Sequence, residues 1–133
     1  MKKILLIDDE THVRDSIARV LSREGYDVET AANAEAGLTM LADAKYDVLI
    51  SDIIMPGIDG VEAIRRARDA QPDIKIVAIS GGGNFGHKAY EPNAITTTAY
   101  LQSAAEAGAD WVITKPFERR TLVESVRRLF EDE

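Results

Sequence analysis

The chain of 133 residues has no cysteine, which excludes disulfide bonds, thiolate nucleophiles and zinc sites built on cysteine. A reducing compartment is permitted. No apolar run approaches the length of a membrane-spanning helix. The opening MKKILLI breaks at Asp8, short of the about 7 to 15 apolar residues that a signal-peptide core needs. The reading therefore places the chain in the cytoplasm, with no membrane partner. Basic residues are also scarce: 16 Lys and Arg stand against 23 Asp and Glu, for a formal net charge of −7. Phosphate backbones are held by gathered Lys and Arg, so a nucleic-acid partner is not expected. Basic partners or divalent cations suit the charge better.

What remains is a length that fits one compact domain and is too short for two independent cores. Aliphatic or β-branched runs at Lys3 to Ile7, Asp27 to Ala31, Asp47 to Ser51, Ile74 to Ile79 and Trp111 to Ile113 read as strands. Their hydrophobicity is nearly continuous rather than alternating, as in parallel strands covered on both faces.

Helical patterns fill the gaps. Val13, Ile17, Val20 and Leu21 form one stripe, which Gly25 can close in the left-handed conformation. A second helix runs from about Ala34 to Ala44, with Asn33 as its N-cap and Leu38 and Leu41 inward. Asp59 can cap a third, with Glu62 as in a capping box and Val61, Ile64 and Ala67 facing the sheet. A fourth covers about Thr97 to Ala107, ended by Gly108; a fifth runs from about Arg119 to Phe130 on Leu122, Val126 and Leu129. Five strands alternating with five helices predict right-handed crossovers and a doubly wound parallel sheet.

Open sheets of this class bind ligands beyond the carboxyl ends of their strands, where the strand order reverses. The first strand ends in Asp8 and Asp9, the third in Asp52, the fourth in Ser80 and the fifth in Thr114 and Lys115. The second ends in Ala31, Ala32 and Asn33, with nothing titratable. An order of 2-1-3-4-5 puts that silent strand at an edge and sets the first and third beside the switch point. Three carboxylates then share one pocket, and unit charges about 4 Å apart repel by roughly 4 kcal/mol at an effective dielectric of 20. Two compensations are available, a bound divalent cation and the Lys115 ammonium. An oxygen-only site favours Mg²⁺, which takes a few carboxylates and keeps several waters.

The motifs IDDE at the first strand end, SDIIMPGIDG around Asp52, IS at Ser80 and TKPF at Lys115 together resemble the receiver domain of two-component response regulators. The similarity spans essentially the whole chain. It implies a flavodoxin-like fold across residues 1–133, as a single receiver domain with no output domain. It implies that Asp52 accepts a phosphoryl group from a phosphohistidine or a small phosphodonor. Asp9, Asp52 and the backbone carbonyl of Ile54 would bind Mg²⁺, Asp8 would orient a metal-bound water, and Lys115 and Ser80 would meet the phosphoryl oxygens. Pro116 would follow a cis bond that aims Lys115 inward. The protein would not be an enzyme in the ordinary sense, catalysing only its own phosphorylation and dephosphorylation. Its partners would be a histidine kinase or histidine phosphotransfer protein near the first helix. A downstream target would meet the surface of the fourth helix, fifth strand and fifth helix, with the protein monomeric or dimerising on phosphorylation.

Some positions depart from the family. Val112 stands where the usual switch aromatic would be, and the adjacent Trp111 points to the other face of its strand. The connection from Gly81 to Asn93 is long, and it is expected to rearrange on phosphorylation. Ile54 is apolar where some receivers place a polar group, which suggests a long-lived phosphoryl state.

Other motifs carry less. Gly81, Gly83 and Gly86 match G-x-G-x-x-G, yet they follow the fourth strand, with Pro92 obstructing an immediate helix. A Walker A loop fails because His87, not Lys, follows Gly86. His12 and His87 lack metal-ligand spacing, and Phe85, Tyr100 and Trp111 read as packing residues. Two competing functions remain in view: a receiver-like interaction module without phosphorylation, and a Mg²⁺-dependent hydrolase or nucleotide binder using the glycine loop. The intact acidic pocket and Lys115 argue against the first. The lack of an acid at Ile54 argues against the second.

Overall fold

The computed structural model describes residues 2–52, 60–80, 105–114 and 117–131. Its strands are β1 (Lys3–Ile7), β2 (Asp27–Ala31), β3 (Val48–Asp52), β4 (Lys75–Ser80) and β5 (Trp111–Thr114). Between them lie α1 (Thr11–Arg23), α2 (Ala34–Asp43) and α3 (Gly60–Ala70), then the described end of α4 at residues 105–107, and finally α5 (Arg119–Glu131). The strands form one parallel sheet in the order β2-β1-β3-β4-β5, as the strand-end argument predicts.

Period-two alternation divides the core between the two faces of the sheet. On β1, Ile4 and Leu6 pack with Ile17 and Leu21 of α1 and with Leu122, Val126 and Leu129 of α5. Leu5 and Ile7 pack on the other face with Leu41 of α2 and Val61, Ile64 and Ala67 of α3. Every residue of β3 is buried, as befits a central strand covered on both sides. The expected stripes are thus the inward faces of the described helices, although Val13, Val20 and Leu38 are only partly buried.

The helix ends follow from local chemistry. Gly25 has φ +99° after α1, and the N–H groups of Gly25 and Tyr26 donate to Ser22 and Leu21 carbonyls at 3.1 and 3.2 Å. That pairing is a Schellman closure, and its left-handed residue is available to glycine at little cost. Asn33 caps α2 by accepting the Ala36 N–H at 2.8 Å. Asp59 lies outside the described residues, and the Glu62 carboxylate meets Arg65 and Arg66 at 2.8 and 3.1 Å.

Three strands differ by one residue from the sequence reading, β5 among them, which extends to Thr114. The β3 ladder continues through Asp52, opposite Ile79, and β4 runs from Lys75 rather than Ile74. At the entry to β3, Asp47 serves as a connector: its carboxylate accepts the Lys3 N–H at 2.7 Å, and its own N–H donates to the Lys3 carbonyl at 2.8 Å. The consequence is functional, because Asp52 belongs to the rigid sheet rather than to the loop after it.

At the opposite end of the sheet, long side chains tie the elements together. Arg68 of α3 donates to the carbonyls of Ile74 and Gly108 at 2.5 and 2.6 Å and pairs with Asp110 at 2.9 Å. Gln71, 8% exposed, accepts the Tyr46 N–H and donates to the carbonyls of Leu41 and Ala44. These contacts fix the amino ends of the strands and leave chemistry to the carboxyl ends.

Candidate metal and phosphoacceptor site

Parallel pairing sets the strand ends level. Ile7 pairs with Ala31 on one side and Ser51 on the other, so the next step of the β1 and β3 register brings Asp8 beside Asp52. Asp8 is fully buried, Asp52 is 4% exposed, and Asp9 is open to solvent. One carboxylate oxygen from each lies within 4.8 Å of the other two. The sequence-predicted convergence of Asp8, Asp9 and Asp52 is therefore present.

Asp8 is held at several atoms. Its N–H donates to the Ala31 carbonyl of β2 at 3.2 Å, prolonging the β1 ladder by one residue. Its Oδ1 accepts the Glu10 N–H at 2.9 Å, and its carbonyl accepts Arg14 Nη1 at 2.8 Å. Such local side-chain-to-backbone bonds favour a turn over a continued strand. The chain consequently leaves the sheet here, and α1 begins at Thr11, with the Arg14 N–H donating to the Glu10 carbonyl at 2.9 Å.

Three hard oxygen donors so close together fit a small divalent cation. Mg²⁺ is bound through one or two carboxylates, retains several waters, and leaves positions for phosphoryl oxygens. Neutral or soft donors would point elsewhere, and among the described residues this cluster has none. Asp8 and Asp52 are buried and Asp9 is exposed, so among the described residues the cluster has a fixed inner side and one carboxylate in contact with solvent.

Ser80 ends β4 opposite Thr114 of β5, so its main chain reaches the same edge of the sheet. Ile54, Lys115, Pro116, the glycines and His87 of the long connection, Phe85 and Tyr100 lie outside the described residues. His12 is exposed near the start of α1. Trp111 is 37% exposed on the edge strand, while Val112 packs against the α2 and α3 side of the core. The opposite-face expectation for these neighbours is met. One contact escaped the sequence reading: Arg14 reaches back to the turn that carries the acids. A signal was present, since side chains on a helix lean towards its N-terminus and Arg14 lies one turn into α1.

Comparison with known proteins agrees with this geometry. The profile of the response regulator receiver domain matches residues 4–127. Response regulator receiver protein CpdR of Brucella abortus (strain 2308) is 33% identical over 129 residues, spanning 97% of each chain. Several other curated relatives are matched over half of their own length. Among solved structures, a CheY-like receiver domain protein from Methanospirillum hungatei JF-1 superposes with a TM-score of 0.82 at 30% identity, covering 99% of this chain and 95% of that one. Response regulator TrrA of Thermotoga maritima, solved in complex with Mg²⁺-BeF, gives a TM-score of 0.76 at 32% identity, with 97% and 99% coverage. The chain belongs to the response regulator receiver domain family of two-component systems.

Proposed function

We propose that this receiver accepts a phosphoryl group on Asp52 in a Mg²⁺-dependent reaction and thereby switches the binding of a partner protein or relays the group onward. The observation that carries the reading is the convergence of Asp8, Asp9 and Asp52 within 4.8 Å at the end of a rigid sheet. A Mg²⁺ ion, when bound, would neutralise phosphoryl charge as it builds up in the transition state.

An Asp52 carboxylate oxygen attacks the phosphorus of a phosphohistidine. The new P–O bond forms as the P–N bond breaks, and the imidazole leaves with the bonding electron pair. Burial in β3 fixes the nucleophile's position, which matters because positioning and electrostatics supply most of the catalysis of phosphoryl transfer. Asp9 and Asp52, with the Ile54 carbonyl, would hold the ion, and Asp8 would orient a bound water. Lys115 and Ser80 would take up phosphoryl oxygens, a role that rests on their match to the family pattern. Hydrolysis would return the carboxylate and release phosphate, so the only reactions catalysed are those of the protein's own modification.

The proposed donors are a histidine kinase or a histidine phosphotransfer protein, and the proposed target surface comprises α4, β5 and α5. Residues 1–133 are read as one receiver unit acting in the cytoplasm. Among the described residues no helix is long and apolar enough to cross a membrane. The second reading, a receiver-like module that binds partners without phosphorylation, is favoured by Val112 at the position of the usual aromatic and by the long Gly81 to Asn93 connection.

Incubation with Mg²⁺ and acetyl phosphate separates the two. The phosphoacceptor reading expects a mass gain of one phosphoryl group that Asp52→Asn abolishes. No covalent gain despite Mg²⁺ binding favours the silent module.

A further inference from the structure

The site as proposed assigns no work to Arg14, whose guanidinium bonds the turn that carries two of the three acids. Arg14 is half-buried, and its Nη1 donates to the main-chain carbonyl of Asp8 at 2.8 Å. That carbonyl belongs to the planar peptide joining Asp8 to Asp9, so the direction in which it points governs how the two side chains leave the backbone. The bond from Asp8 N–H to Ala31 fixes the end of β1, and the bond from Glu10 N–H fixes the Asp8 carboxylate. Arg14 grips the peptide between the two acids.

We propose that Arg14 is a positioning residue for the acidic site, clamping the Asp8 and Asp9 peptide so that both carboxylates face Asp52 before any cation arrives. The inference rests on the reading of the pocket as a Mg²⁺ site. The residue type suits the task. A guanidinium stays charged at any working pH, and its rigid fork loses less freedom per hydrogen bond than a flexible ammonium does. Its charge also offsets part of the repulsion among carboxylates held within 4.8 Å of one another. Groups that orient the ligands of a metal are commonly worth about 10- to 100-fold in affinity or activity.

The test measures the Mg²⁺ dissociation constant by calorimetry, and the rate of phosphorylation by acetyl phosphate at low and at saturating Mg²⁺, in the full chain. Arg14→Ala should weaken Mg²⁺ binding by about 10-fold, with phosphorylation lost mainly at low Mg²⁺ and Asp52 still the modified residue. Arg14→Lys should recover part of the affinity and Arg14→Gln little. Arg68→Ala serves as the structural comparison: it breaks the contacts at the far end of the sheet, and should lower the melting temperature while leaving Mg²⁺ affinity at the wild-type value. If Arg14→Ala does not fold, the Lys and Gln variants decide between the outcomes. Wild-type affinity in Arg14→Ala or Arg14→Gln overturns the proposal, as does an equal loss in Arg68→Ala. Absence of Mg²⁺ binding by the wild-type protein would instead overturn the reading of the pocket itself.

Discussion

Asp8 and Asp52 stand side by side at the ends of β1 and β3, with carboxylate oxygens within 4.8 Å, although the sequence places them on different strands. Adjacent parallel strands lie about 4.8 Å apart, so equal strand ends with like side chains cannot avoid each other. The repulsion is built into the strand order. A sheet in which β1 and β3 were not neighbours would not have it.

Neutralising one of these acids should therefore stabilise the metal-free protein. We expect Asp8→Asn and Asp52→Asn to unfold in urea with about 1–2 kcal/mol more stability than wild type in the presence of chelator, given the size of close charge repulsion. Added Mg²⁺ should then raise the wild-type midpoint and move the variants little. Variants less stable than wild type in chelator would show that the acids do not repel one another appreciably.

The far end of the sheet offers a separate test of the fold. Gln71 connects the end of α3 to the last turn of α2 and to the segment between α2 and β3 through three buried or part-buried bonds, to Tyr46 N–H and to the Leu41 and Ala44 carbonyls. Gln71→Leu keeps much of the volume and leaves those groups without their partner. A loss of about 2–3 kcal/mol in equilibrium unfolding is expected, in line with the cost of unsatisfied buried polar groups. Mg²⁺ affinity should be unchanged, because the residue lies away from the strand ends that carry the acids.

The same region sets a pH dependence. Burial, together with the hydrogen bond from its hydroxyl to Glu29 at 2.5 Å, pushes the Tyr46 phenol up to about 12. The unfolded chain releases this proton near the ordinary value of 10, so from there to about 12 the folded state binds more protons than the unfolded one. The contribution of Tyr46 to stability is fully present below pH 10 and is lost as pH rises to about 12. Tyr46→Phe should show a shallower fall in stability than wild type across that window, measured by urea unfolding at successive pH values. Parallel slopes would contradict the assignment.

Much of this was legible in the sequence because the signals were physical. Continuous aliphatic runs marked strands buried on both faces, Gly25 and Asn33 marked helix ends, and the one strand end without a titratable group pointed to the sheet edge. Convergence of Asp8, Asp9 and Asp52 followed from that order. The ends of β3, β4 and β5 lie one residue beyond the sequence reading, since apolarity stops at Ile50, Ile79 and Ile113 while main-chain pairing continues to Asp52, Ser80 and Thr114. Hydrogen-bond ladders do not register in hydrophobic patterning. Arg14 does not stand out in the sequence, because a basic residue on a helix surface has the pattern of solvated charge and the turn it grips is formed only by the fold. The same holds for Arg68, whose partners Ile74, Gly108 and Asp110 come from separate stretches of chain.

The most direct measurement locates the phosphoryl group itself. After phosphorylation with acetyl phosphate and Mg²⁺, borohydride reduction converts an aspartyl phosphate to homoserine, which peptide mapping can place by residue. The account predicts homoserine at position 52, dependent on Mg²⁺ and lost in the presence of chelator. Reduction at Asp8, Asp9 or elsewhere, or none at all in protein that binds Mg²⁺, would contradict it.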